Sequence, residues 1–378
     1  MAEEGVRPLP RPARRAARHT HHYGQRRPHP GRGTRFEGIA FGAAGEAVGS
    51  AAAYTGVVGY QEVLTHPSYR GALLVLTYPI VGAYGTNGED HESPSVQAAG
   101  LVVREASRTF SNFRADRPLE DLMKEAGLVG IREVDTRAVA VHLREAGEMA
   151  AAIVPADADT GDVAERLRAA DADASADLVA GATWAGRRAP DGQACCRLAL
   201  VNLGAGESLL AQLVELGCAL EILAANAGAE AVRATGADGV VLAGGPGDPR
   251  GLTPQIETAA ALLGEVPLLG IGLGHQVLAL AAGCEVEAMR SGHRGLNYPV
   301  RDHTGGRGAI TVQHHRYVVS ADGLGDGVEV THTNFNDKTL EGIRAGGGRA
   351  QGIQWHPTRD DMGRPSPVLR AFCEGLKA

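Results

Sequence analysis

Short apolar runs dominate residues 34–154. GALLVLTYP (71–79) and AAGLVVRE (98–105) are broken by glycine and proline, whereas TRAVAVHLREAG (136–147) spaces its apolar positions as a helix does. That mixture predicts an α+β domain. From residue 197 the rhythm changes: RLALVNLG, ALEILAA, DGVVLAGGPGDP and PLLGIG read as strands, with ESLLAQLVELG and TPQIETAAALLGEV as helices between them. Strands alternating with helices predict a doubly wound, mostly parallel sheet covered on both faces. Ligands bind such sheets at the carboxyl ends of the strands, where GGPGDP and GIGLGHQ fall.

Between the two blocks, residues 155–196 are rich in alanine, aspartate and glycine, and GRRAPDGQACC (186–196) reads as an exposed crossing. The expected layout is a basic tail over 1–33, an amino-terminal domain over 34–180, a linker over 181–196 and a second domain over 197–378. The tail concentrates arginine, histidine and proline without apolar periodicity, so it cannot offset its ordering entropy and is expected to be disordered. An anion-binding arm or a transit peptide are the alternatives, the latter disfavoured because the tail lacks serine.

Composition narrows the classes. With 378 residues, 44% hydrophobic and 21% charged, the chain has material for two globular cores, and a net charge of −7 argues against a nucleic-acid surface. No secretory or membrane-spanning run occurs, so no membrane partner and a cytoplasmic location are expected. The five cysteines are odd in number, two are adjacent, and no CxxC spacing occurs; they are expected to be reduced and apolar in role. His275, His293, His314, His315 and His356 invite a metal site, but none of these five stands in an HxH or HExxH spacing, so no metal and no cofactor are expected.

PLLGIGLGHQVLALAAG (267–283) is a strand, a glycine-rich corner and a helix, the arrangement that raises a nucleophile at a helix amino terminus. Its apex is Gly272, which has no side chain. Cys284 cannot substitute, since twelve helical residues rise about 18 Å.

LAGGPGDP (242–249), GIGLGHQVLALAAG (270–283) and IQWHPT (353–358), together with residues 57–93, SNFR (111–114) and GIREVDTRAVAVHLREAGEM (130–149), resemble the small subunit of carbamoyl-phosphate synthase, a class I glutamine amidotransferase. The resemblance spans residues 34–378. It implies an amino-terminal small-subunit domain, a partner in the form of a large ATP-using subunit, and a role in pyrimidine, arginine or specialised biosynthesis. It also implies site roles. The family's nucleophilic cysteine falls at Gly272, its base at His356, and the glutamate orienting that base at Thr358. Gly245, Gly247 and Leu273 could supply oxyanion-hole N–H groups, or GGPGDP only terminates a strand, and Gln276 matches a glutamine contact or a packing residue. Gly56 and Gly206 replace a glutamine-holding serine and a lysine, and His314, His315, Arg316 and Tyr317 replace Asn-His-Gly-Phe. The usual first strand has no counterpart before TRFEG, leaving its place empty or filled by another segment.

Three functions remain open at the level of sequence. The first is a glutaminase-deficient, noncatalytic partner of the large subunit. The second is a scaffold repurposed to bind or transform a small anionic molecule, suggested by Arg316. The third is a conventional glutamine-hydrolysing subunit using another nucleophile, Thr358 beside His356 being one choice.

Overall fold

The computed structural model describes residues 18–23, 33–170 and 175–376. In the amino-terminal part, strands β1 (Arg18–Tyr23), β2 (Thr34–Gly42), β3 (Ala47–Tyr54), β4 (Ala72–Val81), β5 (Gly100–Ala106), β6 (Val129–Arg132) and β7 (Ala150–Pro155) close into a barrel in the order β1-β2-β6-β5-β4-β3-β7. The alternation of apolar residues on β4 explains why it is central. Leu74 and Leu76 join one buried cluster with Leu101 and Met123, while Leu73 and Val75 join another with Ile131 and Val139.

The tail expectation fails at β1. Arg18–Tyr23 pairs antiparallel with both β2 and β7, with His21 opposite Phe36 and Ile153. Two neighbouring strands with open edges supply backbone partners that hydrophobic periodicity does not reveal, and HTHHY carries the β-branched and aromatic residues a strand tolerates. The place left vacant by the missing first strand is therefore filled from within the tail. The rest of that segment, residues 1–17 and 24–32, lies outside the described residues.

The second part is a ten-stranded sheet built from β8 (Gly186–Arg188), β9 (Cys196–Asn202), β10 (Cys218–Ala224), β11 (Gly239–Leu242), β12 (Leu268–Ile271), β13 (Val286–Asp302), β14 (Gly308–Val319), β15 (Glu329–Asn334), β16 (Leu340–Ala345) and β17 (Ala350–Ile353). Its centre, β17-β12-β11-β9-β10, is parallel. Leu198 and Leu200 of β9 face one core cluster and Ala199 and Val201 the opposite one, the two-sided burial a parallel sheet requires. β13 to β16 extend the sheet in antiparallel fashion, an extension the strand–helix alternation did not predict.

Two boundaries shift. β8 lies inside the predicted linker yet pairs with β10, Arg188 opposite Leu220, and Val179 of the preceding helix packs in the core of the second domain. Cys196, Cys218 and Cys373 are buried in that domain's other core cluster. No helix among the described residues is long and apolar enough to cross a membrane.

A buried ion pair joins the two parts. Arg294 Nε and Nη2 donate to Glu148 Oε1 and Oε2 at 3.0 and 2.8 Å, and Gly292 N–H donates to Glu148 Oε1 at 3.1 Å. Glu148 and Arg294 are 4% and 8% exposed. Removing one partner of such a pair strands the other charge in a poorly solvating environment, so Glu148→Ala should cost about 3–5 kcal/mol. The check is the urea midpoint of the full chain, which should fall; an unchanged midpoint would show that the pair does not tie the domains.

Candidate functional site: a glycine corner facing three histidines

The strand–corner–helix motif forms as its residues dictate. β12 ends at Ile271, Gly272 turns the chain at φ 57°, ψ −114°, and the helix Leu273–Ala281 begins at once. Gly272 N–H donates to Ile353 O at 2.9 Å and Gly272 O accepts from Gln276 N–H at 3.2 Å. This is the strained geometry of a nucleophile-bearing corner, which glycine adopts without the steric cost an L side chain meets. The helix lies close enough to β11 that a Cβ on Gly274 would run into the Leu242 carbonyl. At Gly272, by contrast, a Cβ would meet Gly244 Cα at 3.7 Å and Gln354 O at 3.8 Å, ordinary contact distances. The corner thus has space for a side chain at a residue that carries none.

Most of the expected site converges. Gly245, Gly247, Gly272, Leu273, Gln276, His314, His315, Arg316, Tyr317 and His356 line one cavity of about 510 Å³. Leu273 occupies the first turn of its helix, where N–H groups lack intrahelical acceptors. Gln276 is held in place: its Nε2 donates to Tyr317 O at 2.7 Å and to Gln354 Oε1 at 3.0 Å, which favours its packing role. His315 is likewise fixed, Nδ1 lying 2.9 Å from Tyr317 O and Nε2 3.0 Å from Gln313 Oε1.

Three predicted positions fall elsewhere. Gly206 and Thr358 line a neighbouring cavity of about 900 Å³, which shares His314 and His356 with the first. A Cβ on Gly206 would collide with Glu92, whose carboxylate Oε2 accepts from Ser208 N–H at 3.1 Å and Ser208 Oγ–H at 2.9 Å; that carboxylate fills the place expected for a lysine side chain. Gly56 lines a separate cavity beside Tyr54. Thr358 is exposed and makes no hydrogen bond with His356 among the described residues, so nothing prepares its hydroxyl as a nucleophile.

Sequence reasoning missed His66. It lies on the loop between the helix Tyr60–Thr65 and Pro67, and its ring centroid is 4.5 Å from that of His356 and 5.1 Å from that of His314. His314 Nδ1 lies 2.7 Å from the hydroxyl of Tyr69, a fully buried residue of the barrel domain. Burial pushes His66 down to about 4 and His356 to about 3, and holds His314 well below the usual histidine range, so all three rings are neutral at neutral pH. His356 therefore keeps an unprotonated but weakly basic lone pair, and among the described residues no carboxylate is hydrogen-bonded to its ring. Arg70, Arg250 and Arg294 also line the first cavity unannounced by motif. Arg250 is paired with Asp248 and Arg294 with Glu148, whereas Arg316 Nε is buried without a hydrogen-bond partner among the described residues.

Buried histidines also set the acid limb of stability. His275 is fully buried with neither ring nitrogen partnered, and burial lowers it to about 3 from 6.5. Between those values the unfolded chain binds a proton that the native chain refuses. Stability is therefore lost as pH falls through that window, by up to about 1.4 kcal/mol per pH unit for one group. The urea midpoint of the native chain should drop more steeply between pH 6.5 and pH 4 than that of His275→Gln; parallel slopes would contradict the assignment.

Comparison with known proteins agrees with this geometry. Residues 31–153 match the family model of the carbamoyl-phosphate synthase small chain, CPSase domain, and residues 199–364 that of glutamine amidotransferase class-I. The carbamoyl phosphate synthase small chain of Oceanobacillus iheyensis is 39% identical over 326 residues, covering 86% of this chain and 88% of that one. Its counterpart from Akkermansia muciniphila is 39% identical over 359 residues, covering 92% and 96%. The pyrimidine-specific small chain of Lactiplantibacillus plantarum is 38% identical over 326 residues, covering 86% and 88%. A barrel domain and an amidotransferase sheet meeting at a glycine corner, matched to such relatives along nearly their whole length, place this chain in the carbamoyl phosphate synthase small-chain family.

Proposed function

We propose that this chain is a glutaminase-deficient small chain that docks on a large ATP-using synthase subunit as a noncatalytic partner. One observation carries the reading: the corner at Gly272 keeps the φ/ψ of a nucleophile position and offers no atom to attack an amide. The flanking chemistry has changed with it. Thr358 brings no carboxylate to His356, and Arg316 extends along the cavity wall, its Nη2 donating to Glu148 O at 3.2 Å. The implied large-subunit partner follows from the family, whose small-chain members supply the match across both domains.

A second reading is favoured by one specific feature. Arg316 Nε, buried without a partner beside a cavity of about 510 Å³, supplies a guanidinium edge suited to a small carboxylate or phosphate. In that case the pocket holds an anionic molecule in place of glutamine. A thermal-shift screen of small carboxylates and phosphates should then give a stabilising ligand whose effect Arg316→Gly abolishes; a flat screen leaves only the docking reading.

Docking is tested by co-expressing the chain with the large synthase subunit of its own source. The expected result is a co-purifying complex that forms carbamoyl phosphate from ammonium salts and not from glutamine. Absence of a complex, or synthesis supported by glutamine, overturns the proposal. Reconstruction gives a second test. Gly272→Cys should fold with a loss of about 1–3 kcal/mol from the positive φ and be alkylated by iodoacetamide at that position in peptide mapping. It should still not hydrolyse glutamine unless Thr358→Glu and Arg316→Gly are added. Ammonia release by Gly272→Cys alone would show that the rest of the site is intact.

A further inference from the structure

The three histidines that meet at the domain junction do more than fill space. One ring nitrogen from each of His66, His314 and His356 lies within 4.8 Å of the others. Tetrahedral zinc, with Zn–N near 2.0–2.1 Å, asks for nitrogens about 3.4 Å apart, so modest ring rotations suffice. Their hydrogen bonding leaves them available. His314 uses Nδ1 with Tyr69 and His66 uses Nδ1 with Ser68 N–H at 3.1 Å; Nε2 of both rings, and both nitrogens of His356, have no partner among the described residues. His66 and His314 are 6% and 9% exposed, and both rings border the larger cavity, so what little surface they keep faces the space a metal would occupy.

Two other clusters fail the same test. His293, His315 and Glu341 also converge, but both nitrogens of His293 are taken by Gln313 and Asp337, and both of His315 by Tyr317 and Gln313. Cys195, Cys196 and Cys218 also lie close together, but Cys218 approaches Cys373 to 3.4 Å in the apolar core, and the thiols of Cys196 and Cys218 are pushed up from the ordinary range by burial and sulfur contacts, which disfavours the thiolates a metal needs.

The geometry points to a divalent metal site of the open, three-histidine kind, formed by His66, His314 and His356 and taking zinc or a similar imidazole-preferring cation. Three neutral imidazoles carry no mutual charge repulsion, and imidazole suits such metals. Tyr69 supplies the orienting contact: with Nδ1–H of His314 donating to the Tyr69 hydroxyl, the Nε2 lone pair is free for the metal. His66 gives up one thing, since coordination through Nε2 moves its proton to Nδ1 and ends acceptance from Ser68 N–H. His314 and His356 border both large cavities, so the fourth position is left for water or for a carboxylate entering either one. The site assembles from three segments 42 to 290 residues apart in sequence, which is why a search for spaced motifs does not find it.

This inference stands whether or not the chain docks on a large subunit, because its readout is metal on the isolated chain. Purified full-length protein, loaded with Zn²⁺ and freed of excess by gel filtration, should retain about one equivalent at the three-histidine site, the stoichiometry expected of a single centre. His314→Asn and His356→Gln should each weaken zinc at least about tenfold in competition with a chromophoric chelator, and Tyr69→Phe should weaken it to a lesser degree. Cobalt bound to the unmutated chain gives an arm that no folding defect can obscure. Visible bands of tetrahedral nitrogen coordination, without near-ultraviolet thiolate charge transfer, support the site. Thiolate bands, unchanged zinc affinity in both histidine variants, or no retained metal overturn it.

Discussion

The close packing of one helix against the centre of the parallel sheet holds the rest of this molecule's story together. Leu273–Ala281 approaches β11 so nearly that only glycine fits at 274, and the chain must therefore reverse at 272 with a positive φ. That reversal depends on Ile271, Val277 and Leu278 being buried on the two faces of the sheet. Nothing in it depends on a reacting group. Burial supplies the stability and the grafted side chains supply the chemistry, so the corner can outlast its nucleophile. Glycine at 272 also relieves the backbone strain that an L residue would store there.

The side chains around the corner form a consistent set with it. Position 358 brings no carboxylate to His356, while Glu92, near enough to act on His356 electrostatically, occupies the region next to Gly206 and is anchored by Ser208. Two histidines meet His356, His66 of the barrel domain edge-on and His314 of β14 at a tilt. The Tyr69–His314 contact and the Glu148–Arg294 pair both cross the domain boundary close to that cluster. The junction is one of neutral rings and paired charges, and its polarity is set jointly by both domains.

Much of this was legible in the sequence because it rests on local periodicity. β4, β5 and the helix Thr136–Ala146 follow from the apolar spacing of residues 71–147, and β9 to β12 from the alternation after residue 197. Ten of the thirteen anticipated site positions share one cavity, since strand ends and helix starts of a parallel sheet must meet on one edge. What escaped was nonlocal. β1 is a strand through its neighbours' open edges, β8 through β10, and His66 joins the site only because the barrel domain packs against β14. Gly56 went astray for the opposite reason: a sequence match placed it in the pocket, and the ring of Tyr54 marks it as part of another cavity.

The central claim is that this scaffold cannot form a covalent acyl intermediate with glutamine, because position 272 carries neither sulfur nor oxygen. The most direct measurement is the intact mass of the purified chain after incubation with an electrophilic glutamine analogue, followed by peptide mapping. The account predicts no stoichiometric adduct in the cavity lined by Gly272 and His356. One adduct per chain on a residue of that cavity would contradict it.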